Sequence, residues 1–284
     1  MTPPKLLIVN ADDLAIHPAV NRAVFRAHLE GIVRSTTILV GGPAFEAAVK
    51  ETKQLPELGV GIHLCLVEMR PVALLDAIPS LIDRSQHLPP SYGVFIKKYF
   101  SGRIRLEHIA RELEAQIQRA LDYGLKPTHL DSHQHLHILP GISTLVAELA
   151  KKYGIMRIRI PAEDTPIPSV KAGFVRRIQQ KLVYKLAQHQ RRQYQRAGLW
   201  GADHFVGFNC GGNFHLEHWK SLLPVLKGGV TEIMVHPGDD NRALEAEIGS
   251  GYHWTEELDA LINPGVKSFL LENQVKLIHF GELP

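Results

Sequence analysis

Lys5-Leu6-Leu7-Ile8-Val9-Asn10-Ala11-Asp12-Asp13 is a short unbroken apolar run that stops at two adjacent carboxylates. Such a run reads as a strand buried on both faces of a parallel sheet, with a polar loop at its carboxyl end. From Pro18 to Leu29, Val20, Val24, Phe25 and Leu29 recur at helical spacing, with Pro18 near the start and Gly31 just past the end. That makes one βα unit. The pattern returns with strands expected at Thr36 to Val40, Gly59 to Leu64, Pro127 to Leu130, Ile155 to Ile160, Phe205 to Phe208, Thr231 to Val235 and Val275 to Phe280. Helical stretches such as Leu106 to Tyr123 and Ile142 to Tyr153 separate most of them. The expected fold is therefore α/β: a single parallel (β/α) barrel over residues 1–284, closed or slightly distorted, with seven or eight strands. No glycine-rich phosphate loop argues for an open doubly wound sheet instead.

Composition sets the outer limits. A chain of 284 residues with 45% hydrophobic and 21% charged side chains can bury a substantial core, which argues against disorder. No stretch reaches the roughly 18 to 20 apolar residues of a membrane span, and the opening residues lack the pattern of a signal peptide, so a cytoplasmic protein is expected. Cys65 and Cys210 are too few for a disulfide framework and lack metal-ribbon spacing. Two insertions interrupt the alternation. Residues 71–105, with several prolines and weak periodicity, suit a loop or lid beside the site. Residues 170–200 include a long helix carrying Lys171, Arg176, Arg177, Lys181, Lys185, Arg191, Arg192 and Arg196 with no acidic residue between Val170 and Arg196.

Chemistry-bearing residues gather at the expected strand ends, where parallel barrels place their active sites. Asp12 and Asp13 follow the first strand, His63 ends the third, and Thr128-His129-Leu130-Asp131-Ser132-His133-Gln134-His135-Leu136-His137 follows the fourth. An Asp-Asp pair can simply cap a helix, and a lone histidine on an apolar strand is commonly a packed core residue. Four histidines and an aspartate within nine residues are harder to explain that way, because cores avoid crowding ionisable groups. Hard or borderline ligands converging from separate strands are what a divalent metal site requires. If the last segment is extended, His133, His135 and His137 share one side, and spacing alone does not choose among them as ligands.

Val9-Asn10-Ala11-Asp12-Asp13-Leu14, Gly31-Ile32-Val33-Arg34-Ser35-Thr36-Thr37, Gly61-Ile62-His63-Leu64 and the segment from Lys126 to His137 together resemble the YdjC/ChbG carbohydrate deacetylase family, with later support from Val235-His236-Pro237-Gly238. The resemblance implies removal of an N-acetyl group from an amino sugar within a barrel. It implies one divalent ion, magnesium or zinc, on Asp13, His63 and His133, with Asp12 as the general base. The sequence carries Leu14-Ala15 where Phe-Gly is common in that family, which affects loop shape rather than ligand chemistry.

The chemistry of amide hydrolysis asks for the same parts. A metal polarises the carbonyl, a carboxylate takes the proton of water, and an acid protonates the leaving amine. His236 is the candidate acid, although it could equally be a core histidine fixing its loop through Pro237. His129, Asp131 and His135 are expected to orient the metal-binding histidines through hydrogen bonds to their outer nitrogens. The expected partner is an N-acetylated amino sugar, either an oligosaccharide or a glycolipid. The basic helix, over 170–196, reads either as a solvated face or as a peripheral contact with an anionic membrane. No nucleic acid is expected, since no binding module is recognisable, and the family tendency leaves a homodimer open. A metal-dependent phosphoesterase and a non-catalytic sugar- or lipid-binding barrel are the competing readings.

Overall fold

Strand β1 (Lys5–Leu14) is the axis of the molecule, in a computed structural model that describes residues 3–165, 167–170 and 173–283. It pairs in parallel with β2 (Ser35–Ile38) on one side and β6 (Gly229–Val235) on the other, while β7 (Lys276–Leu277) pairs with its amino-terminal end. With β3 (Gly59–Leu64), β4 (Leu130–Ser132) and β5 (His204–Val206), the sheet runs in the order β4-β3-β2-β1-β6-β5. The helices are α1 (Pro18–Leu29), α2 (Phe45–Thr52), α3 (Tyr92–Phe100), α4 (Leu106–Asp122), α5 (Ile142–Tyr153), α6 (Phe174–Arg196), α7 (Leu216–Leu222), α8 (Asn241–Glu247), α9 (Trp254–Leu261) and α10 (Pro264–Glu272). Central strands read as continuous apolar runs because helices cover the sheet: Leu7, Ile8 and Val9 are fully buried.

Among the described residues seven strands form, and the run expected as the fifth, Ile155 to Ile160, does not become a ladder. Between β4 and β5 the described residues make isolated parallel bridges, Leu130 with Ile158, Arg157 with Trp200 and Glu163 with Phe205. Pro161 explains the interruption, since it brings no N–H and restricts the residue before it. The sheet is thus a parallel half-barrel whose edge strands are spanned by single bridges.

Residues 71–105 are more anchored than a loop reading suggests. Ile78, Leu81, Leu88 and Phe95 are buried in the main core, and Ser91 caps α3 by accepting from the Val94 N–H. The long basic helix begins at Phe174, and Lys171 lies outside the described residues. Its packed face is Ala187, Gln190 and Tyr194, whereas Phe174, Ile178 and Leu182, which begin its apolar stripe, stay exposed. Among the described residues no helix is long and apolar enough to cross a membrane.

Candidate active site

From Ala11 to Leu14 β1 advances three residues while β2 advances only two, from Thr36 to Ile38. Asp13 absorbs the extra residue with a left-handed φ of 63°. Adjacent strand residues normally face opposite sides, and a bulge re-aims them. Here Asp12 and Asp13 both line one cavity. The carboxylates therefore belong to the strand itself, not to a loop beyond it.

Asp13 meets two imidazoles. Its Oδ1 lies 3.3 Å from His63 Nε2 and 2.9 Å from His133 Nδ1. Ligands about 2.0–2.2 Å from one ion are spaced by roughly 3 Å, so these three atoms fit the coordination shell of a divalent cation. The register sets the rest of the geometry. His63 sits opposite Asp131 in the β3–β4 pairing, and Asp131 Oδ1 accepts from His63 Nδ1 at 2.7 Å, which leaves Nε2 facing Asp13. On the far side of His133, Nε2 lies 3.3 Å from Glu68 Oε2. Burial opposes charge on both rings, yet the surrounding carboxylates win. His63 is raised to about 9 chiefly by Asp131 and Asp13, and His133 is raised well above the usual range by Asp13 and Glu68. Burial likewise opposes the Asp13 carboxylate, which His133 and His63 nevertheless hold well below its ordinary pKa. The carboxylates thus favour positive charge at this cluster, whether carried by a ring proton or by an ion that replaces it.

Beneath it lies Arg159, fully buried and holding three acids. Its Nη1 and Nη2 donate to the two oxygens of Asp12 at 2.6 and 2.7 Å, Nη1 lies 2.7 Å from Asp131 Oδ2, and Nε donates to Glu232 at 2.6 Å. Asp12, His63 and Asp131 form a second acidic group, but the guanidinium already occupies it. Burial pushes Glu232 up to about 7 despite its arginine partner. Asp131 is held low against burial by Arg159 and His63.

The histidines after β4 do not alternate as an extended segment would. Gln134 and His135 take φ values of 55° and 56°, which turn the chain and separate the rings. His133 alone of the three reaches Asp13. His137 is used structurally: its Nδ1 lies 2.6 Å from Ser132 Oγ, its Nε2 lies 3.1 Å from the Arg159 carbonyl, and burial pushes it down to about 4. His135 lines the cavity against Phe205 and Phe208, with Nδ1 unpartnered, and makes no hydrogen bond to His63 or His133. His129 departs further from expectation. It stacks on Phe280 at 3.8 Å, with Nδ1 2.9 Å from Thr128 Oγ1, and is lowered by burial to about 3. A side chain at Gly61 would collide with its ring, so His129 belongs to packing at the outer side of β3 and not to the site. Of the residues expected to orient His63 and His133, Asp131 alone makes a hydrogen bond to either ring among the described residues.

His236 follows β6, the sixth strand rather than a seventh. It lines the same cavity as Asp13 and His133, with Nδ1 buried and unpartnered. Its backbone N–H donates to Glu257 Oε2 at 2.5 Å, and its ring meets Tyr252 at 5.2 Å. The cavity encloses about 410 Å³ and is polar at the Asp12–His133 end, with apolar walls from Ile96, Leu139, Leu182 and Trp254. Sequence reading missed Arg159, Glu68, Glu232 and Tyr252. Arg159 had a partial signal, being one of two arginines, with Arg157, inside the otherwise apolar stretch Ile155 to Ile160, where a buried guanidinium needs carboxylates.

Fold and site together define a parallel α/β protein that gathers an Asp-His-His cluster able to hold a metal ion, with a second carboxylate beside it, at the carboxyl ends of its strands. The chain belongs to the YdjC-like protein family, whose model matches residues 6–272. It is 38% identical over 282 residues to a carbohydrate deacetylase of Vibrio cholerae, covering 98% of this chain and 96% of that one. It is 31% identical over 284 residues to a carbohydrate deacetylase of Geobacillus stearothermophilus, covering 98% of each. A solved structure of a candidate cellobiose-phosphate cleavage protein from Enterococcus faecalis matches with a TM-score of 0.77 and 26% identity, again over 98% of each chain.

Proposed function

We propose that this chain is a metal-dependent deacetylase that hydrolyses the N-acetyl group of an N-acetylated amino sugar, within a (β/α) barrel closed through the bridged segment beyond β4. The observation that carries the reading is the meeting of Asp13, His63 and His133 at 2.9 and 3.3 Å beside Asp12, in a chain whose relatives are carbohydrate deacetylases. Those three residues would hold the ion. When bound, a divalent ion supplies charge that polarises an amide carbonyl and lowers the pKa of water from about 15.7 toward 7.

The chain's own groups handle the protons. Asp12 accepts hydrogen bonds from both Arg159 terminal nitrogens and from Asn10 Nδ2, three donors in all. A carboxylate offers about four lone-pair sites, so one remains for the attacking water. Arg159 fixes the plane of that carboxylate, and Asp12 takes the proton as water adds to the acyl carbon. His236 then protonates the nitrogen as the C–N bond breaks, giving acetate and a free amine. Occupation of the Asp12–His63–Asp131 group by Arg159 favours a single ion over the paired ions, about 3.5–4 Å apart, of many phosphoesterases.

The test is acetate release from N-acetylglucosamine oligosaccharides by metal-reconstituted protein, beside Asp12→Asn, His133→Ala and His236→Ala. The expected result is release by the parent and a loss of about 10²-fold or more in each variant. Hydrolysis of phosphate esters without acetate release would overturn the reading, as would release that survives Asp12→Asn.

A further inference from the structure

Helix α6 carries seven lysines and arginines and not one acidic residue, and α3 carries two lysines and no acid. These two helices border the cavity, α3 through Tyr92 and Ile96 and α6 through Leu182, Val183 and Leu186. At about 100° per residue, Phe174, Ile178 and Leu182 fall in one sector of α6, with Lys181 and Lys185 among them and Arg177 at its edge. The opposite sector holds Ala187, Gln190 and Tyr194, the side chains that pack on the body of the protein.

Among the described residues the outward sector has no cover. Phe174 is 79% exposed, Ile178 52% and Leu182 59%, and Phe100 on α3 is 63% exposed. Tyr92 and Leu182 are at once exposed and part of the cavity lining, so they form its lip. Scattered single apolar side chains on a surface need no explanation, but here Phe174, Ile178 and Leu182 share one helix sector that reaches the cavity lip at Leu182.

We propose that α6 and α3 form a docking surface for an anionic lipid bilayer, which sets the mouth of the cavity against the membrane. The chemistry selects this occupant. A second copy of the chain would bring the same cationic face against itself. A nucleic acid would satisfy the lysines and arginines but offers no apolar phase to receive Phe174, Ile178 and Leu182. A leaflet containing anionic lipid satisfies both, with apolar side chains entering the acyl boundary and the flanking cations held at the headgroups. For substrate choice the consequence, which rests on the deacetylase reading, is that an N-acetylated sugar carried on a lipid reaches Asp12 and His133 from the bilayer side.

Vesicle co-sedimentation of the full chain tests the surface without any turnover, so a failure here and a failure of the deacetylase assay are separate results. Vesicles of phosphatidylcholine alone are compared with vesicles that also contain phosphatidylglycerol, at low and high salt. Binding to the mixed vesicles alone, weakening with salt, is expected. Charge reversal by Arg177→Glu, Lys181→Glu and Lys185→Glu together should lower vesicle affinity by about tenfold or more, and Phe174→Ser with Ile178→Ser should lower it independently. All five positions are exposed, so unfolding temperatures should stay close to that of the parent. No binding, equal binding to neutral vesicles, or binding indifferent to charge reversal would overturn the proposal. It would equally be overturned by a dimer in sedimentation velocity that dissociates in the Phe174→Ser, Ile178→Ser variant while vesicles are ignored.

Discussion

Asp131 serves as acceptor for two groups at once, the His63 imidazole through Oδ1 and the Arg159 guanidinium through Oδ2. Asp131→Asn keeps the shape but lets an amide face the arginine or the ring with the wrong hydrogen-bonding character. Metal affinity should fall by about 10–100-fold, measured by calorimetric titration with zinc, and stability should fall by about 3–5 kcal/mol in urea melts because Arg159 loses a buried partner. A variant with unchanged affinity would show that Asp131 does not orient the ligand. Ala15 poses a backbone question at the same bulge, with φ of 80° where a glycine would be unstrained. Ala15→Gly gains relief of about 1–2 kcal/mol of left-handed strain but loses a buried methyl worth about 0.8 kcal/mol and adds unfolded-state freedom of about 0.5–1 kcal/mol. Those terms nearly cancel, so its melting curve should lie close to the parent. Ala15→Val adds a β-branched side chain at positive φ in a filled core and should cost about 2 kcal/mol or more in the same melts.

At the scale of elements, α4 fastens the stretch that leads from β3 into the 71–105 insertion. Glu112, fully buried, accepts from the N–H groups of Val72 and Ala73, and Gln116 pairs with both the N–H and the carbonyl of Cys65. Removing the carboxylate by Glu112→Ala leaves two half-buried backbone donors without their acceptor, at about 1 kcal/mol or more each. Unfolding free energy should drop by about 2–4 kcal/mol, with faster amide exchange over 65–73, and unchanged exchange there would show that the tether is not what holds the insertion. This side of the molecule was the least legible in the sequence, since Glu112 and Val72 are 40 residues apart and nothing local announces the pair. The strands were legible because burial on both faces makes each a continuous apolar run, and the fifth run misled because Pro161 lies beyond what apolar periodicity weighs. At the site, Asp12, Asp13, His63, His133 and His236 all line one cavity, as strand-end chemistry suggested. The partners of Arg159 stayed hidden because its three acids come from β1, β4 and β6, and no local pattern encodes a contact between strands. The bulge was equally invisible, being a mismatch between the advances of β1 and β2 rather than a property of either.

For the whole molecule, buried titratable groups make stability depend on pH in a way that a bound ion should change. Consider the protein stripped by a chelator. A histidine whose folded pKa is raised adds stability below its unfolded value near 6.5 and loses that contribution as pH climbs through the folded value. His63, raised to about 9, and His133, raised by Asp13 and Glu68, therefore make the stripped chain less stable between about pH 6.5 and 9. Loss from His63 is on the order of 3 kcal/mol at most. His129 and His137 act in the opposite sense. Burial lowers them to about 3 and 4, so their contribution is present above 6.5 and is lost as pH falls toward those values. Glu232, raised to about 7, works against that acid limb, adding stability below about 4.5 and losing it as pH rises through 7. His135 is lowered by burial in the same sense as His129 and His137, and Glu112, Glu163 and Glu257 are raised as Glu232 is, but the large histidine shifts dominate, so the stripped chain should be most stable near pH 6.5, with a fall on either side. Zinc or magnesium needs His63 and His133 neutral, so metal should bind more tightly as pH rises and should flatten the alkaline limb. At 100 times its dissociation constant the ion adds about 2.7 kcal/mol. Thermal melts from pH 5 to 9, with chelator and with saturating metal, check this directly. An alkaline limb that falls equally in both would mean that the ion does not displace protons from His63 and His133, and the ligand assignment would have to be abandoned.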